Sequence, residues 1–171
     1  MFGVPGSLVG VVMTDVLDRG DAGMRARELA SEFPTVGLDT DALDAARLLA
    51  DRDLPGLIVV DDHGRPDTIL PGTQVLRFAI PRYVQDDPKL AAVVDEVSAD
   101  AFCQVLAGTP VRELLPKKAR ELPVVDGDDT VLEIAALMAR ARSPVVAVVD
   151  NSGRMIGAVT LDALLDRMLP R

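Results

Sequence analysis

The stretch from Val36 to Arg65 (VGLDTDALDAARLLADRDLPGLIVVDDHGR) returns about 89 residues later, from Val125 to Arg154 (VDGDDTVLEIAALMARARSPVVAVVDNSGR), with about a dozen identities and no gap. A register that long requires the chain to build two similar units. Each copy reads as a helix of apolar period three to four, then Pro, a β-branched run and an Asp-x-x-Gly-Arg turn. Function is therefore to be sought between two similar units.

At 171 residues, 49% of them apolar, the chain is long enough for one domain with a substantial core or for two small ones packed together. A net charge of -9, no Trp, one Tyr and four Phe argue against non-specific nucleic-acid binding, which needs basic patches and often stacking aromatics. A local basic pocket stays open. Cys103 is the single cysteine and His63 the single histidine, which excludes a disulfide framework and a Cys/His zinc site within one chain. A reducing, cytoplasmic compartment fits this usage best. No apolar run reaches the length of a membrane span. Residues 1–23 lack the basic flank of a signal peptide. They read either as a peripheral extension before a start at Met24 or as an added strand or helix.

The first copy predicts a short helix over 25–30, a strand at 34–36, and a helix capped by Asp39 with Leu43, Ala46, Leu48, Leu49 and Ala50 on its apolar face. A strand from Leu57 to Val60, a turn at Asp61–Gly64 and a brief strand at Ile69 and Leu70 follow. Thr73 to Ala79 reads as helix and Pro81 stops it. Between the copies, 84–87 reads as loop, Asp87 as a cap before Pro88, Leu90 to Val97 as an apolar helical face, and Ser98 as the start of another helix. The second copy opens with PVRELL and a loop holding Lys117 and Lys118. A strand at 122–125, a helix over 131–140 capped by Asp128 or Asp129, strands at 145–149 and 155–159, and a helix over 161–168 complete it.

The phrases LPGLIVVDDHGR and SPVVAVVDNSGRMIGAVTLDALLDRM resemble the second half of the cystathionine β-synthase (CBS) domain, with its Pro-Val-Val-Asp, turn, Gly, hydrophobics, Thr, then Asp. The resemblance covers nearly the whole chain from Met24 and is tighter in the second copy. It implies an α/β (α+β) fold of two CBS motifs, each a small three-stranded sheet with two helices, packed with pseudo-two-fold symmetry as a Bateman module. Its boundaries would be 1–23 extension, 24–84 first motif, 85–108 helical linker and 109–171 second motif. It further implies a regulatory binding module rather than an enzyme, with ligand clefts between the motifs, no cofactor, and AMP, ADP, ATP or S-adenosylmethionine as ligand. A homodimer and a regulated partner protein are the implied partners, without nucleic acid or membrane insertion; regulation of a separate transporter or channel rests on family analogy alone.

Short apolar strands offer flat walls to a purine, a carboxylate can accept ribose hydroxyls, and a Thr hydroxyl near a helix N-terminus meets phosphate. The resemblance puts these roles on Val125, Ser143, Pro144, Val145, Thr160 and Asp162, and in the first copy on Val36, Leu54, Pro55 and Thr73. The copies depart from the pattern. The family carboxylate stands three residues after the Thr, where this chain has Ala163; Asp162 therefore reads as ribose ligand or as helix cap, being turned about 100° away. The first copy has Leu76 at that place after Thr73, and its PGT reads as a ligand-approaching backbone or as a plain turn. One degenerate and one uncertain site are expected, and a dimerisation module that has lost ligand binding is the alternative function.

Arg52, Arg140 and Arg142 read as helix-end cations or phosphate ligands, and Lys117, Lys118 and Arg120 as a solvated loop or a polyphosphate contact. His63 reads as a solvent-facing turn residue and Cys103 as core packing. No nucleophile elbow, phosphate loop or zinc-protease motif is present in the sequence. The apolar faces around Leu43–Leu49, Val131–Met138 and Leu161–Met168 predict self-association.

Overall fold

The computed structural model describes residues 23–92, 98–119 and 121–169. Expectations placed on residues 1–22, on 93–97 and on Arg120 lie outside them. In chain order the elements are α1 (Ala26–Leu29), β1 (Thr35–Gly37), α2 (Ala42–Asp51), β2 (Gly56–Val60), β3 (Pro66–Pro71), α3 (Gly72–Ala79), α4 (Arg82–Asp86), a 3-10 turn (Pro88–Ala92) and α5 (Ser98–Leu106). They continue with α6 (Val111–Leu114), β4 (Val124–Asp126), α7 (Val131–Ala141), β5 (Val145–Val149), β6 (Met155–Thr160) and α8 (Leu161–Met168). Two compact units result: one takes Glu32–Leu122 with Gly153–Met155, the other the chain up to Ser31, Pro123–Ser152 and Ile156–Arg171.

The first-sheet unit is built on β2, whose Leu57, Ile58 and Val59 are fully buried. A continuous apolar run of this kind belongs in the middle of a sheet. It pairs in parallel with β1 (Val36 opposite Val59) and antiparallel with β3 (Leu57 opposite Leu70). Parallel neighbours need a crossover, which α2 supplies. The buried face of α2 is Ala42, Ala45 and Leu49, with Leu43, Ala46 and Leu48 half-buried beside it. Ala50, expected on this face, is exposed, because one residue beyond Leu49 is a turn of about 100° away from it. The cap is Asp41 and not Asp39: its Oδ1 accepts from the Leu43 amide at 2.9 Å and the Asp44 amide at 3.4 Å.

The second-sheet unit repeats the plan with strand order β4-β5-β6 and β5 buried throughout. Its helix α7 packs Val131, Ile134 and Met138 inward. The cap is Thr130 rather than Asp128 or Asp129. Thr130 Oγ1 accepts from the Glu133 amide at 3.3 Å while Glu133 Oε2 accepts from the Thr130 amide at 2.7 Å, a capping box that satisfies two otherwise orphaned donors. The Thr130 amide first, and then its hydroxyl, hold the Glu133 carboxyl below its ordinary range. A carboxyl lowered on folding adds stability above its unfolded value and loses it as pH falls through the folded value, so this cap weakens only in acid.

Short helices are exchanged between the copies. In the first-sheet unit, Val111 and Arg112 of α6 donate their amides to Thr40 O (2.8 Å) and Leu38 O (3.0 Å). In the second-sheet unit, Ala26 and Arg27 of α1 donate to Asp129 O (2.8 Å) and Gly127 O (3.0 Å), the corresponding carbonyls. Arg112 pairs with Asp39 and Arg27 with Asp128, which is where the aspartates expected to cap helices are used. Val111 and Leu114 join one core and Ala26 the other. The ion pairs are exposed, so the apolar contacts supply most of the hold.

The connecting segment differs from expectation in two places. Of the expected loop at 84–87, residues 84–86 belong to α4 and only Asp87 lies outside it, since Pro81 both ends α3 and precedes a new helical turn. Cys103 is exposed, not core: α5 turns Phe102 and Leu106, four residues apart, to the first-sheet core and so directs Cys103 outward. Among the described residues no helix is long and apolar enough to cross a membrane.

Candidate functional site

In the second-sheet unit the end of β6 lies beside the start of β5. The Leu161 amide donates to Pro144 O at 2.8 Å, which brings Ser143–Val145 and Thr160–Asp162 to one corner of the sheet. Ser143 Oγ donates to Val145 O at 2.7 Å and fixes the turn ahead of β5. Thr160 is the N-cap of α8, its Oγ1 accepting from the Ala163 amide at 3.3 Å. That bond uses an oxygen lone pair and leaves the hydroxyl proton for another acceptor. Asp162 is not the cap; it stands exposed in the first turn of α8. Val145 and Val125 are buried, the latter inside the core cluster, so they back the corner as wall.

The first-sheet unit has the same backbone and different chemistry. The Gly72 amide donates to Pro55 O at 2.9 Å, gathering Leu54, Pro55 and the start of α3. The position that Thr160 holds at the end of β6 is Pro71 at the end of β3, a cap without a side-chain hydrogen bond. Thr73, aligned with Thr160 on sequence, instead matches Asp162, exposed in the first helical turn. The resemblance pairs Thr73 with Thr160, two residues beyond the place that strand register gives to Pro71. Val36 is buried in the core. The open groove near Thr73 runs along α3 and α4, with a volume of about 640 Å³.

The repeated turns hold their shape by local bonds. Asp61 Oδ1 accepts from the amides of His63 (2.8 Å) and Arg65 (2.9 Å), and Asp150 Oδ1 from the Ser152 amide (2.8 Å). The Arg65 amide, more than that of His63, lowers the Asp61 carboxyl below its ordinary value. Gly64 and Gly153 take φ of +75° and +80°, which side-chain-bearing residues resist. His63 is exposed, as its place in the turn implied. Arg52, Arg140 and Arg142 are exposed near helix ends, and Lys117 and Lys118 are exposed in the loop before β4. Among the described residues no group of His, Cys, Asp and Glu has the arrangement of a metal site.

The family model of the CBS domain matches residues 26–69 and 109–170, the two halves just described. The chain belongs to the CBS domain family. A CBS domain-containing protein of unknown function from Kribbella flavida is 55% identical, superimposes with a TM-score of 0.81, and is covered over 100% of its length by 86% of this chain. A conserved CBS domain protein from Thermoplasma acidophilum is 28% identical with a TM-score of 0.58, over 86% of this chain and 70% of that one. CBSX2, solved in complex with AMP, is 18% identical with a TM-score of 0.59, over 85% of this chain and 96% of that one. A search of curated proteins found no match. CBS pairs of this kind are generally regulatory, non-catalytic modules.

Proposed function

We propose that this CBS pair senses an adenosine-containing nucleotide or related metabolite and modulates a partner protein, using the corner of the second-sheet unit. The observation that carries the reading is the gathering of Ser143, Pro144, Thr160 and Asp162 by the Leu161–Pro144 hydrogen bond, with the Thr160 proton unused. A hydroxyl donor at a helix N-terminus suits a phosphate or ribose oxygen, and Asp162 lies in the same turn. The first-sheet unit, with Pro71 in place of Thr160, is assigned no working site. AMP, which CBSX2 holds, is the first ligand to try, followed by ADP, ATP and S-adenosylmethionine.

Thermal melting tests this. A ligand at a hundred times its dissociation constant adds about 2.7 kcal/mol of stability, a readily measured upward shift. Thr160→Asp keeps a good N-cap but replaces the donor by an anion, so it is expected to melt near the parent and to lose the shift. No shift with any of the four ligands favours the alternative, an interaction module without ligand binding, which Pro71 and Ala163 support.

We also propose a homodimer. The faces of α2 and α7 are spent on their own cores, but Leu161 and Leu165 stand one turn apart on α8, each 42% exposed, and Leu169, the residue that ends it, is 62% exposed. Sedimentation at micromolar concentration is expected to give twice the chain mass, and Leu165→Glu to return it to one.

A further inference from the structure

We propose that the groove along α3 and α4 in the first-sheet unit docks an acidic, apolar-anchored segment of the partner protein. The inference rests on the reading of the chain as a module that modulates a partner, but not on nucleotide binding. Three observations support it. First, Leu76 and Phe78 line the groove and are 49% and 36% exposed, and Tyr83, on α4 outside the lining, is 57% exposed; Phe78 and Tyr83 are the exposed aromatics among the described residues. Exposed aromatics beside arginines are the composition of binding hot spots.

Second, the groove is positive in an acidic protein. Arg77 and Arg82 line the groove against a single carboxylate, Asp86 at its end, and no other acidic residue occurs between Asp67 and Asp86, so the lining carries a net positive charge. Among the described residues neither arginine makes an ion pair. The corresponding helix α8 carries Asp162 and Asp166, so the basic character belongs to this copy alone. Two guanidiniums that make no ion pair, beside the apolar Leu76, Phe78, Ile80 and Pro81 of the same lining, complement carboxylates flanking an apolar anchor.

Third, the corner is held in shape before any partner arrives. Gln85 Nε2 donates to Arg77 O (2.8 Å) and Ile80 O (2.6 Å), tying α4 to the last turn of α3. Preorganisation lowers the ordering cost of binding. The groove is open rather than enclosed, which suits an extended segment better than a small metabolite.

The test is selection of phage-displayed peptide libraries against the full chain, in parallel with Arg77→Glu/Arg82→Glu. The parent is expected to enrich peptides that combine Asp or Glu with Leu or Phe, and the charge-reversed variant to bind the enriched peptides at least ~10-fold more weakly. The proposal is overturned if the parent enriches no such class or if the variant binds it equally. It is also overturned if the variant alters the sedimenting mass, since the groove would then be covered by a second copy. AMP-induced melting shifts are recorded on the same samples. Peptide binding without a shift removes the nucleotide reading alone, and a shift without peptide binding removes this one alone.

Discussion

Gly157→Val is expected to destabilise the protein by about 3 kcal/mol, measured as a lower urea midpoint. A Cβ on Gly157 would lie 2.8 Å from Ser31 O and 3.1 Å from Ala30 Cβ. The first contact is with backbone, which cannot swing aside as a flexible side chain would. It also falls where the segment after α1 is bonded to β6 by paired amide–carbonyl contacts between Ser31 and Ala158, both 3.0 Å. The substitution must push the segment off the strand or bend β6. Gly72→Ala is the control: the nearest atom to its Cβ is Pro55 O at 3.7 Å, so it is expected to be close to neutral. Equal losses in the two variants would mean that glycine matters here only for chain flexibility.

Ile134→Ala is expected to cost about 2–5 kcal/mol in the same measurement, with the denaturant slope unchanged. Ile134 is fully buried on α7 and belongs to the core cluster with Val125, Met138, Val146, Val148 and Leu164. Shortening it removes transfer free energy and leaves a cavity that strands β4 and β5 cannot collapse into without breaking their register. Leu132, two residues earlier and 37% exposed, provides the comparison: its alanine variant should lose far less. A loss at Leu132 matching that at Ile134 would refute the assigned face of α7.

Most of the scaffold was legible because local patterns and burial agree. The runs GLIVV and VVAVV are apolar without interruption, and a strand buried on both faces needs nothing else. The Asp-x-x-Gly-Arg turns could be placed because both the carboxylate that folds back on the backbone and the glycine that takes positive φ are local features. Caps were harder. In DTDA and DDTV several capping residues stand side by side, and the choice of Asp41 and Thr130 depended on which aspartate the crossing arginine had taken. Cys103 was misplaced because α5 has apolar residues around much of its circumference, so periodicity did not select the face.

The candidate site was legible as a set of positions but not as chemistry. Thr160 could be found from its strand-to-helix context, whereas Thr73 was given its role by the family resemblance and the strand register gives that position to Pro71. One extra element of β3 and β6, their matched length, decides between a hydroxyl and a proline at the corner. The role of Asp162 likewise turned on the cap: once Thr160 occupied it, the carboxylate was left exposed in the first turn.

The sequence by itself determined that there are two like units, where their sheets lie in the chain, and the family to which they belong, because an apolar rhythm repeated in register is a property of neighbouring residues. Only the tertiary structure decided that α1 serves the second sheet and α6 the first, and that Asp39 and Asp128 hold arginines instead of capping helices. Those outcomes depend on contacts between residues far apart in the chain, 73 positions for Arg112 with Asp39 and 101 for Arg27 with Asp128, and no local pattern records which of several chemically adequate partners is close enough to be used.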